Sequence, residues 1–225
     1  MMKNNNLKEV KAVIFDMDGV LFDTERIYLE EWIEIFDEYG YKMTKEIYLP
    51  LMGRGRKVIK EIFKKEFGED IPIEEMYIKK DKMLFEAVDR GIPLKKGAAE
   101  IIDFLKVNGF KIALATSAKK ERQQKQIESS ILCDKFDAII SGDDVVNSKP
   151  DPEIFKKAAE KLNVPYEKCI VIEDSKAGII AASKAQMIGL HVEDLLPCDK
   201  EIKKYCYEYF YSLQEIISFI KRNCL

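Results

Sequence analysis

The sequence has few of the side chains on which many enzymes depend. It contains a single histidine, His191, and none of the motifs GxSxG, HExxH or GxxxxGK[ST]. These absences exclude a Ser-His-Asp triad and a P-loop, and they argue against a zinc site built from His and Cys ligands. His191 lies in a late apolar run, where we expect a structural role. Any chemistry must therefore rest on carboxylates, hydroxyls, lysine and arginine.

Paired cysteines, long apolar runs and an excess of one charge are also missing. The five cysteines are odd in number and form no CxxC pair, which favours reduced thiols. No run is long enough to span a membrane, and the polar start, residues 1–6, lacks the apolar core of a signal peptide. The net charge is −3 with both signs interspersed, so nothing indicates a nucleic-acid partner. We expect a cytoplasmic monomer with no nucleic-acid or membrane partner.

The sequence does contain a regular alternation of apolar strands and amphipathic helices, mainly after residue 90. Such alternation predicts a parallel sheet covered by helices on both faces, an α/β protein with a three-layer Rossmann-like core. The predicted strands are 11–16, 110–116, 136–141, 168–173 and 188–192, with 207–211 as an outer strand. The predicted helices of this part are 98–108, 119–129, 152–162, 176–185 and 213–221.

The segment from residue 24 to residue 90 has a different texture. Its apolar residues follow helical periodicity over 24–39, 56–67 and 73–88, and no convincing strand occurs in it. We therefore predict a small α-helical domain inserted after the first strand. The predicted boundaries are 1–23 and 91–225 for the α/β core and 24–90 for the inserted domain.

The most informative motif, FDMDG, follows the first predicted strand. Asp16 and Asp18 are two residues apart, so in a strand their side chains would share a face and enter one site. Two like charges so close would repel, and a hard cation with oxygen ligands would relieve the repulsion. Gly19 allows a tight turn or a close approach to a ligand. The alternative is an Asp-rich turn, which is common after strands.

Other strands of the predicted sheet also end in polar residues. Thr116 and Ser117 follow the second strand, Lys149 lies in the loop after the third, and Glu173 and Asp174 end the fourth. Each has an ordinary explanation as a helix cap or a solvated loop residue. Together, at the edge where parallel sheets bind ligands, they suit phosphoryl transfer, which needs donors for phosphate oxygens and a metal to offset the carboxylates.

Four motifs, FDMDGVLFDT, ALATS, SKPDPEIF and IEDSKAG, resemble in order and spacing those of the haloacid dehalogenase superfamily of phosphotransferases. The resemblance covers nearly the whole chain. The helical insertion is similar to the small mobile cap of the β-phosphoglucomutase-like branch. FDMDGVLFDTERIY also resembles the phosphatases of that branch, including pseudouridine-5′-phosphatase.

This resemblance implies a role for each core residue. Asp16 would be the nucleophile that becomes an aspartyl phosphate, and Asp18 the general acid, which needs a raised pKa to donate its proton. Thr116 and the backbone N–H of Ser117 would hold the phosphate, while Lys149 would bridge the phosphate and Asp16. An acid at position 18 also excludes the namesake dehalogenase reaction.

The same resemblance implies a Mg²⁺ site. Its ligands would be Asp16, the backbone carbonyl of Asp18, and Asp174, with Glu173 in or near the first coordination shell.

Substrate choice is expected to depend on the cap. The loop 52–57, MGRGRK, carries Arg54 and Arg56 before a helix, and the resemblance implies that both bind the substrate. The alternative is a solvated basic helix start. Tyr28 stands twelve residues after Asp16, where β-phosphoglucomutase has a histidine. A tyrosine there favours hydrolysis over a mutase reaction, and the alternative is that Tyr28 only packs the cap hinge.

We therefore expect a Mg²⁺-dependent phosphatase acting on a small phosphorylated metabolite, a sugar phosphate or similar monoester. The first alternative is a β-phosphoglucomutase-like sugar-phosphate mutase. A second is a phosphate-sensing or partner-binding protein that has lost catalysis, which the complete set of motif residues disfavours.

Overall fold

The structure is a computed structural model that describes residues 7–225. The polar start, residues 1–6, and with it the first part of the predicted core domain, lies outside the described residues.

The core is a six-stranded sheet in the order β3-β2-β1-β4-β5-β6, and every neighbouring pair is parallel. The central strand β1 pairs with β2 on one side and β4 on the other. Its four residues, AVIF, are buried because helices cover both faces of the sheet. The strands are β1 (Ala12–Phe15), β2 (Lys111–Ala115), β3 (Ala138–Ile140), β4 (Cys169–Glu173), β5 (Ile188–Val192) and β6 (Glu208–Phe210).

Helices form a layer on each face of this sheet. Apolar residues of α5 and α10 pack on one face, and those of α7 and α8 pack on the other. The predicted three-layer α/β fold is therefore confirmed. The core helices are α5 (Ala98–Val107), α6 (Lys120–Glu128), α7 (Glu153–Leu162), α8 (Lys176–Lys184), α9 (Ile202–Tyr205) and α10 (Leu213–Asn223).

Two core elements differ from the sequence expectation. Strand β3 is shorter than the predicted 136–141, because Asp137 accepts the backbone N–H of Ile112 on its side chain, with 2.7 Å between N and Oδ2. The four-residue helix α9 was not predicted. It lies between β5 and β6, where Asp199 accepts the N–H of Ile202 at 2.7 Å and starts the turn.

The segment between β1 and α5 is helical and has an apolar core of its own. Trp32 packs edge-on against Phe36, Phe63 and Tyr77, with ring centroids 5.0–5.6 Å apart. We call this segment the cap, and its boundaries at residues 24 and 90 stay a prediction. Its helices are α1 (Thr24–Glu38), α2 (Lys45–Tyr48), α3 (Arg56–Phe67) and α4 (Ile73–Arg90). Among the helices of residues 7–225, none is long and apolar enough to cross a membrane.

The two chain segments that connect the cap to the core run side by side. The backbone N–H of Asp23 donates to Pro93 O, and the N–H of Lys95 donates to Leu21 O, both at 2.9 Å. Leu195 and Leu196, from the loop after β5, pack against the apolar cluster of the cap. This arrangement places the cap over the carboxyl ends of the strands.

Candidate active site

Asp16 lies at the carboxyl end of β1, among residues from β4 and the loop that precedes α7. Lys149 Nζ is 2.7 Å from Asp16 Oδ1 and 2.7 Å from Glu173 Oε1, and the lysine is almost completely buried. Burial lowers the pKa of Lys149, but the two carboxylates outweigh this effect and raise the pKa above its ordinary value. Lys149 is therefore a fixed cation beside Asp16.

The carboxyl of Asp16 is itself perturbed. Burial raises its pKa to about 7, against the lowering effect of Lys149 and with a further raising effect of Glu173. Negative charge is crowded around this carboxyl, because Glu173 and Asp18 both lie close to it. A cation would restore the ionised form.

Three buried carboxylates meet next to this point and fit a metal ion. Asp16, Glu173 and Asp174 each offer an oxygen, and these oxygens lie within 4.8 Å of one another. Oδ2 of Asp174 is buried and has no hydrogen-bond partner among the described residues. Burial and the neighbouring carboxylates raise the pKa of Asp174 well above its ordinary value. Crowded carboxylates with an unpartnered oxygen are what a hard cation satisfies.

Gly19 is required by this cluster of carboxylates. Its φ is +75°, and a Cβ at this position would lie 2.2 Å from Asp174 Oδ2. The turn after β1 therefore passes close to the acidic residues only because residue 19 has no side chain.

The predicted phosphate-binding residues lie at the end of β2, next to the cap. Thr116 Oγ1 accepts the N–H of Ala118 at 3.1 Å, and Ser117 Oγ donates to Gly53 O of the cap loop at 3.3 Å. Both residues line a cavity of about 270 Å³ that Asp16 and Asp18 also line. The cap loop thus closes directly over the predicted phosphate position.

Asp18 differs from the expectation for a general acid. Arg122 donates to both of its oxygens, Nη1 to Oδ1 at 3.1 Å and Nη2 to Oδ2 at 2.5 Å. Tyr28 also donates its hydroxyl to Oδ1, at 3.1 Å. Burial acts to raise the pKa of Asp18, but Arg122 and these hydrogen bonds outweigh it, so the pKa is lowered. In this structure the pKa of Asp18 therefore lies below its ordinary value, whereas proton donation needs a raised one. Tyr28 does more than pack the hinge, because its hydroxyl contacts Asp18.

Arg54 and Arg56 both line the cavity, but they are bound differently. Both Nη groups of Arg56 donate to Asp81, and its guanidinium stacks over the Tyr77 ring at 4.4 Å. Arg54 Nε donates to Pro50 O at 2.8 Å, and among residues 7–225 no carboxylate forms an ion pair with it. Arg54 is therefore the freer of the two cations.

Sequence reasoning missed several residues that line this cavity. Arg122 lies in the polar run KERQQKQIE, which is typical of a solvated helix, and Lys80 lies in a similar run, KKDK. Glu25 accepts the Tyr48 hydroxyl at 2.5 Å, and burial raises its pKa to about 8. Only the packing of the cap on the core buries these side chains. For Glu25 and Arg122 the one signal in the sequence is their proximity to the motifs, and Lys80 lies far from all of them.

Comparisons with known proteins agree with this geometry. The family model for haloacid dehalogenase-like hydrolases matches residues 13–192. A Thermotoga maritima protein named "Phosphorylated carbohydrates phosphatase" is 34% identical over 180 residues, 78% of this chain and 82% of that protein. A Drosophila melanogaster protein named "Probable pseudouridine-5'-phosphatase" is 32% identical, over 86% of each chain.

The structure of β-phosphoglucomutase from Clostridium difficile has the same fold. Its TM-score is 0.81 at 27% identity, over 95% of this chain and 96% of that one. The predicted resemblance and the prediction of a phosphoric monoester hydrolase are confirmed. The chain belongs to the haloacid dehalogenase-like hydrolase family.

Proposed function

We propose that this enzyme is a Mg²⁺-dependent phosphatase of small phosphorylated metabolites, sugar phosphates or similar monoesters, and that it acts through an aspartyl phosphate on Asp16. The observation that carries the proposal is the shared cavity. It is lined by Asp16, Asp18, Thr116 and Ser117, and Lys149 forms a buried ion pair with Asp16.

The residues divide the work between nucleophilic attack and proton transfer. Asp16 attacks phosphorus and displaces the leaving oxygen, while Lys149 offsets the negative charge that collects on the phosphoryl oxygens. Thr116 and the N–H of Ser117 orient the phosphate. Asp18 supplies the proton to the leaving oxygen and later takes one from the water that attacks the aspartyl phosphate. The lowered pKa of Asp18 favours this second role.

The carboxylates of Asp16, Glu173 and Asp174 would hold the Mg²⁺ ion, with the predicted backbone carbonyl of Asp18. When bound, the ion neutralises carboxylates and phosphate and so lets Asp16 attack as an anion. The unpartnered Asp174 Oδ2 and the raised pKa of Asp16 support a cation at this place.

The cap surface of the cavity supports a substrate with a polar or anionic distal part. Arg54 and Lys80 face the cavity from the cap, and the cavity is large enough for a small metabolite. The relative that acts on phosphorylated carbohydrates supports a sugar phosphate.

A panel assay tests the proposal. Purified enzyme is incubated with glucose 6-phosphate, fructose 1-phosphate, ribose 5-phosphate, pseudouridine 5′-phosphate and p-nitrophenyl phosphate, and phosphate release is measured with Mg²⁺, Ca²⁺ or excess chelator. We expect turnover with Mg²⁺, none with chelator, and little with Ca²⁺, which prefers more ligands and looser geometry. Asp16→Asn, which keeps the size but removes the nucleophile, should abolish turnover. Activity of this variant within about tenfold of wild type would remove Asp16 from its role.

The mutase alternative needs a separate assay. β-Glucose 1-phosphate is supplied with a trace of the 1,6-bisphosphate, and both products are followed. We expect inorganic phosphate to accumulate faster than glucose 6-phosphate, since Tyr28, whose pKa burial raises well above normal, cannot titrate near neutrality as a histidine does. If glucose 6-phosphate accumulated faster than inorganic phosphate, the enzyme would be a mutase and the phosphatase proposal would be wrong.

A further inference from the structure

The two linkers, residues 21–23 and 93–95, carry the covalent connection between the cap and the core. They pair antiparallel through backbone hydrogen bonds and a β-bridge between Phe22 and Leu94. Because the chain enters the cap through one linker and leaves it through the other, a change in the angle of the cap must bend the chain at or beside them. Side chains that bind the linkers to the core therefore influence where the cap lies.

Four charged side chains form a ring at these linkers. Arg26 Nη1 lies 2.6 Å from Asp23 Oδ1 and 3.6 Å from Asp194 Oδ1. Lys95 Nζ lies 2.5 Å from Asp194 Oδ1 and 3.6 Å from Asp23 Oδ1. Asp23 and Lys95 belong to the linkers, and Arg26 lies in the first turn of α1. Asp194 is the member of the ring that comes from another part of the core, the loop after β5.

The environment of Asp194 does not suit an ion pair kept for stability alone. Its side chain is completely buried, and its Oδ2 has no hydrogen-bond partner among the described residues. Burial of a carboxylate costs free energy that its ion pairs seldom exceed, and apolar side chains of similar volume are often at least as stable. This favours a role for Asp194 in fixing the geometry of the linkers.

The residues directly after Asp194 also contact the cap. Leu195 and Leu196 pack against the apolar cluster of the cap. The start of the same loop is fixed to the core, because the N–H of Glu193 donates to Phe210 O of β6 at 2.9 Å. The loop after β5 is thus a core element that binds the cap both at its linkers and at its apolar cluster.

We propose that Asp194 is a positioning residue that holds the cap at its angle over the candidate active site, by binding one cation at each linker. The consequence for catalysis rests on the proposed function, because it takes the cap side of the cavity as the surface that binds the distal part of the substrate. A substrate that needs this surface should suffer when the cap can tilt. A small phenyl ester, held by residues of the core, should not.

The only tryptophan of the sequence reports the position of the cap. Trp32 belongs to α1, is 3% exposed and lines the cavity, so a cap that tilts away should admit a quencher to it. Acrylamide quenching is compared between wild type and Asp194→Asn, which keeps the size and removes the charge. We expect the Stern–Volmer constant to rise at least about twofold. Asp103→Asn, which removes an exposed ion pair with Lys135 on the core, is the control and should leave it unchanged.

The kinetic test uses two substrates: p-nitrophenyl phosphate and the sugar phosphate of the panel that wild type hydrolyses fastest. For Asp194→Asn we expect kcat/KM for the sugar phosphate to fall by about 5–50-fold, because the cap surface no longer stays in place. The value for p-nitrophenyl phosphate should change by less than about twofold, because this ester makes little use of binding energy from the cap. Asp103→Asn should change neither value.

A second variant tests whether the ring of charges acts as a unit. Arg26→Gln should raise the quenching constant in the same direction as Asp194→Asn, and in the Asp194→Asn background it should add less than about 1.3-fold. Arg26 is half exposed, so its replacement leaves no group buried without a partner. If circular dichroism shows that Asp194→Asn does not fold, Arg26→Gln takes its place in every comparison.

Two results would overturn the inference while the proposed function stands: unchanged quenching of Trp32 in Asp194→Asn, or equal losses of kcat/KM on the two substrates. Unchanged quenching together with a lower free energy of unfolding would make Asp194 a structural residue only. If wild type hydrolysed neither substrate, the proposed function would fall, and the quenching comparison would still decide whether Asp194 holds the cap.

Discussion

Lys149 is the residue whose burial most constrains the site. It lies between the carboxylates of Asp16 and Glu173, and its charge is nearly inaccessible to water. A buried charge is tolerated only with partners, and here each partner also needs the lysine. The ion pairs of the candidate active site therefore also help to hold the carboxyl ends of β1 and β4 together.

Replacing Lys149 by methionine should destabilise the protein strongly in chelator, because two buried carboxylates lose their cation. We expect a fall of about 3–5 kcal/mol in the free energy of unfolding, measured by denaturant titration. Lys157→Met is the matched control: its ion pair with Glu153 is half exposed, and its loss should cost less than about 1 kcal/mol. Equal stabilities of the two variants would contradict the argument.

The residues of the core motifs could be predicted because they end an apolar strand or lie in the segment after one, and parallel strands bring their carboxyl ends to one edge. Arg122 and Glu25 could not be predicted in the same way. Both are charged residues in polar helical runs, and the sequence does not tell which helix face the cap will cover. The ion pair of Arg122 with Asp18 joins residues 104 positions apart, a distance at which local patterns carry no information.

At the scale of elements, the loop from Met52 to Gly55 is one of the contacts between cap and core. Gly53 has a φ of +72°, and a Cβ there would lie 2.1 Å from Ser175 Oγ of the core. A Cβ on Gly55 would similarly meet Ser148, at 2.6 Å. The glycines of this loop thus allow a backbone approach that any side chain would block.

Arg54 follows that close approach and is the better candidate for contact with the distal part of a substrate. Arg54→Ala should raise KM, or lower kcat/KM, for the sugar phosphate by about 10–100-fold if a charge-assisted contact of about 1.5–3 kcal/mol is lost. It should matter little for p-nitrophenyl phosphate, whose distal part carries no hydroxyl or net charge for Arg54 to bind.

Two variants at the start of α3, directly after this loop, serve as comparisons for the Arg54→Ala result. Lys57→Ala removes an exposed cation outside the cavity and should have no effect. Arg56→Ala should also lower activity on the sugar phosphate, but it removes the ion pair with Asp81 as well, so part of its effect should appear as lower thermal stability. If Arg54→Ala leaves kcat and KM for the sugar phosphate unchanged, Arg54 does not contact the substrate and Arg56 becomes the candidate for this contact.

The elements themselves were largely predictable, since strong periodicity and flanking glycines mark them. Helix α3 begins and ends as predicted, and so does β5. The exceptions are short elements whose ends are set by side chains from elsewhere. The pairing of β3 with β2 stops at Asp137, whose side chain takes the place of a backbone acceptor for the N–H of Ile112 in β2. No local sequence pattern predicts this replacement.

For the molecule as a whole, the burial of Glu25 makes stability depend on pH, and the hydrogen bond from Tyr48 only partly opposes this effect. Burial raises the pKa of Glu25 from 4.5 to about 8. A group with a raised pKa stabilises the fold fully below its unfolded pKa, and this contribution is lost as pH rises through the folded value. Glu25 should therefore weaken the protein between about pH 4.5 and pH 8.

Glu25→Gln, which keeps the hydrogen-bonding shape without the charge, should be more stable than wild type at pH 8 and similar to it near pH 5. The measurement is the free energy of unfolding at both values, in chelator. Glu34→Gln, at an exposed position of the same helix, should show no such difference. A wild type that is relatively more stable than Glu25→Gln at pH 8 would contradict the assignment.

The central position of β1 has a consequence for the order in which the chain folds. β1 is made first on the ribosome, yet its partners are β2, which begins at residue 111, and β4, which begins at residue 169. The intervening cap helices make local contacts and form quickly, whereas pairing across such separations is slow. Asp16, at the end of β1, therefore emerges early, while its strand gains its second partner only after β4 has been made. Loss of the chain beyond β3 would leave it without one of its two neighbouring strands.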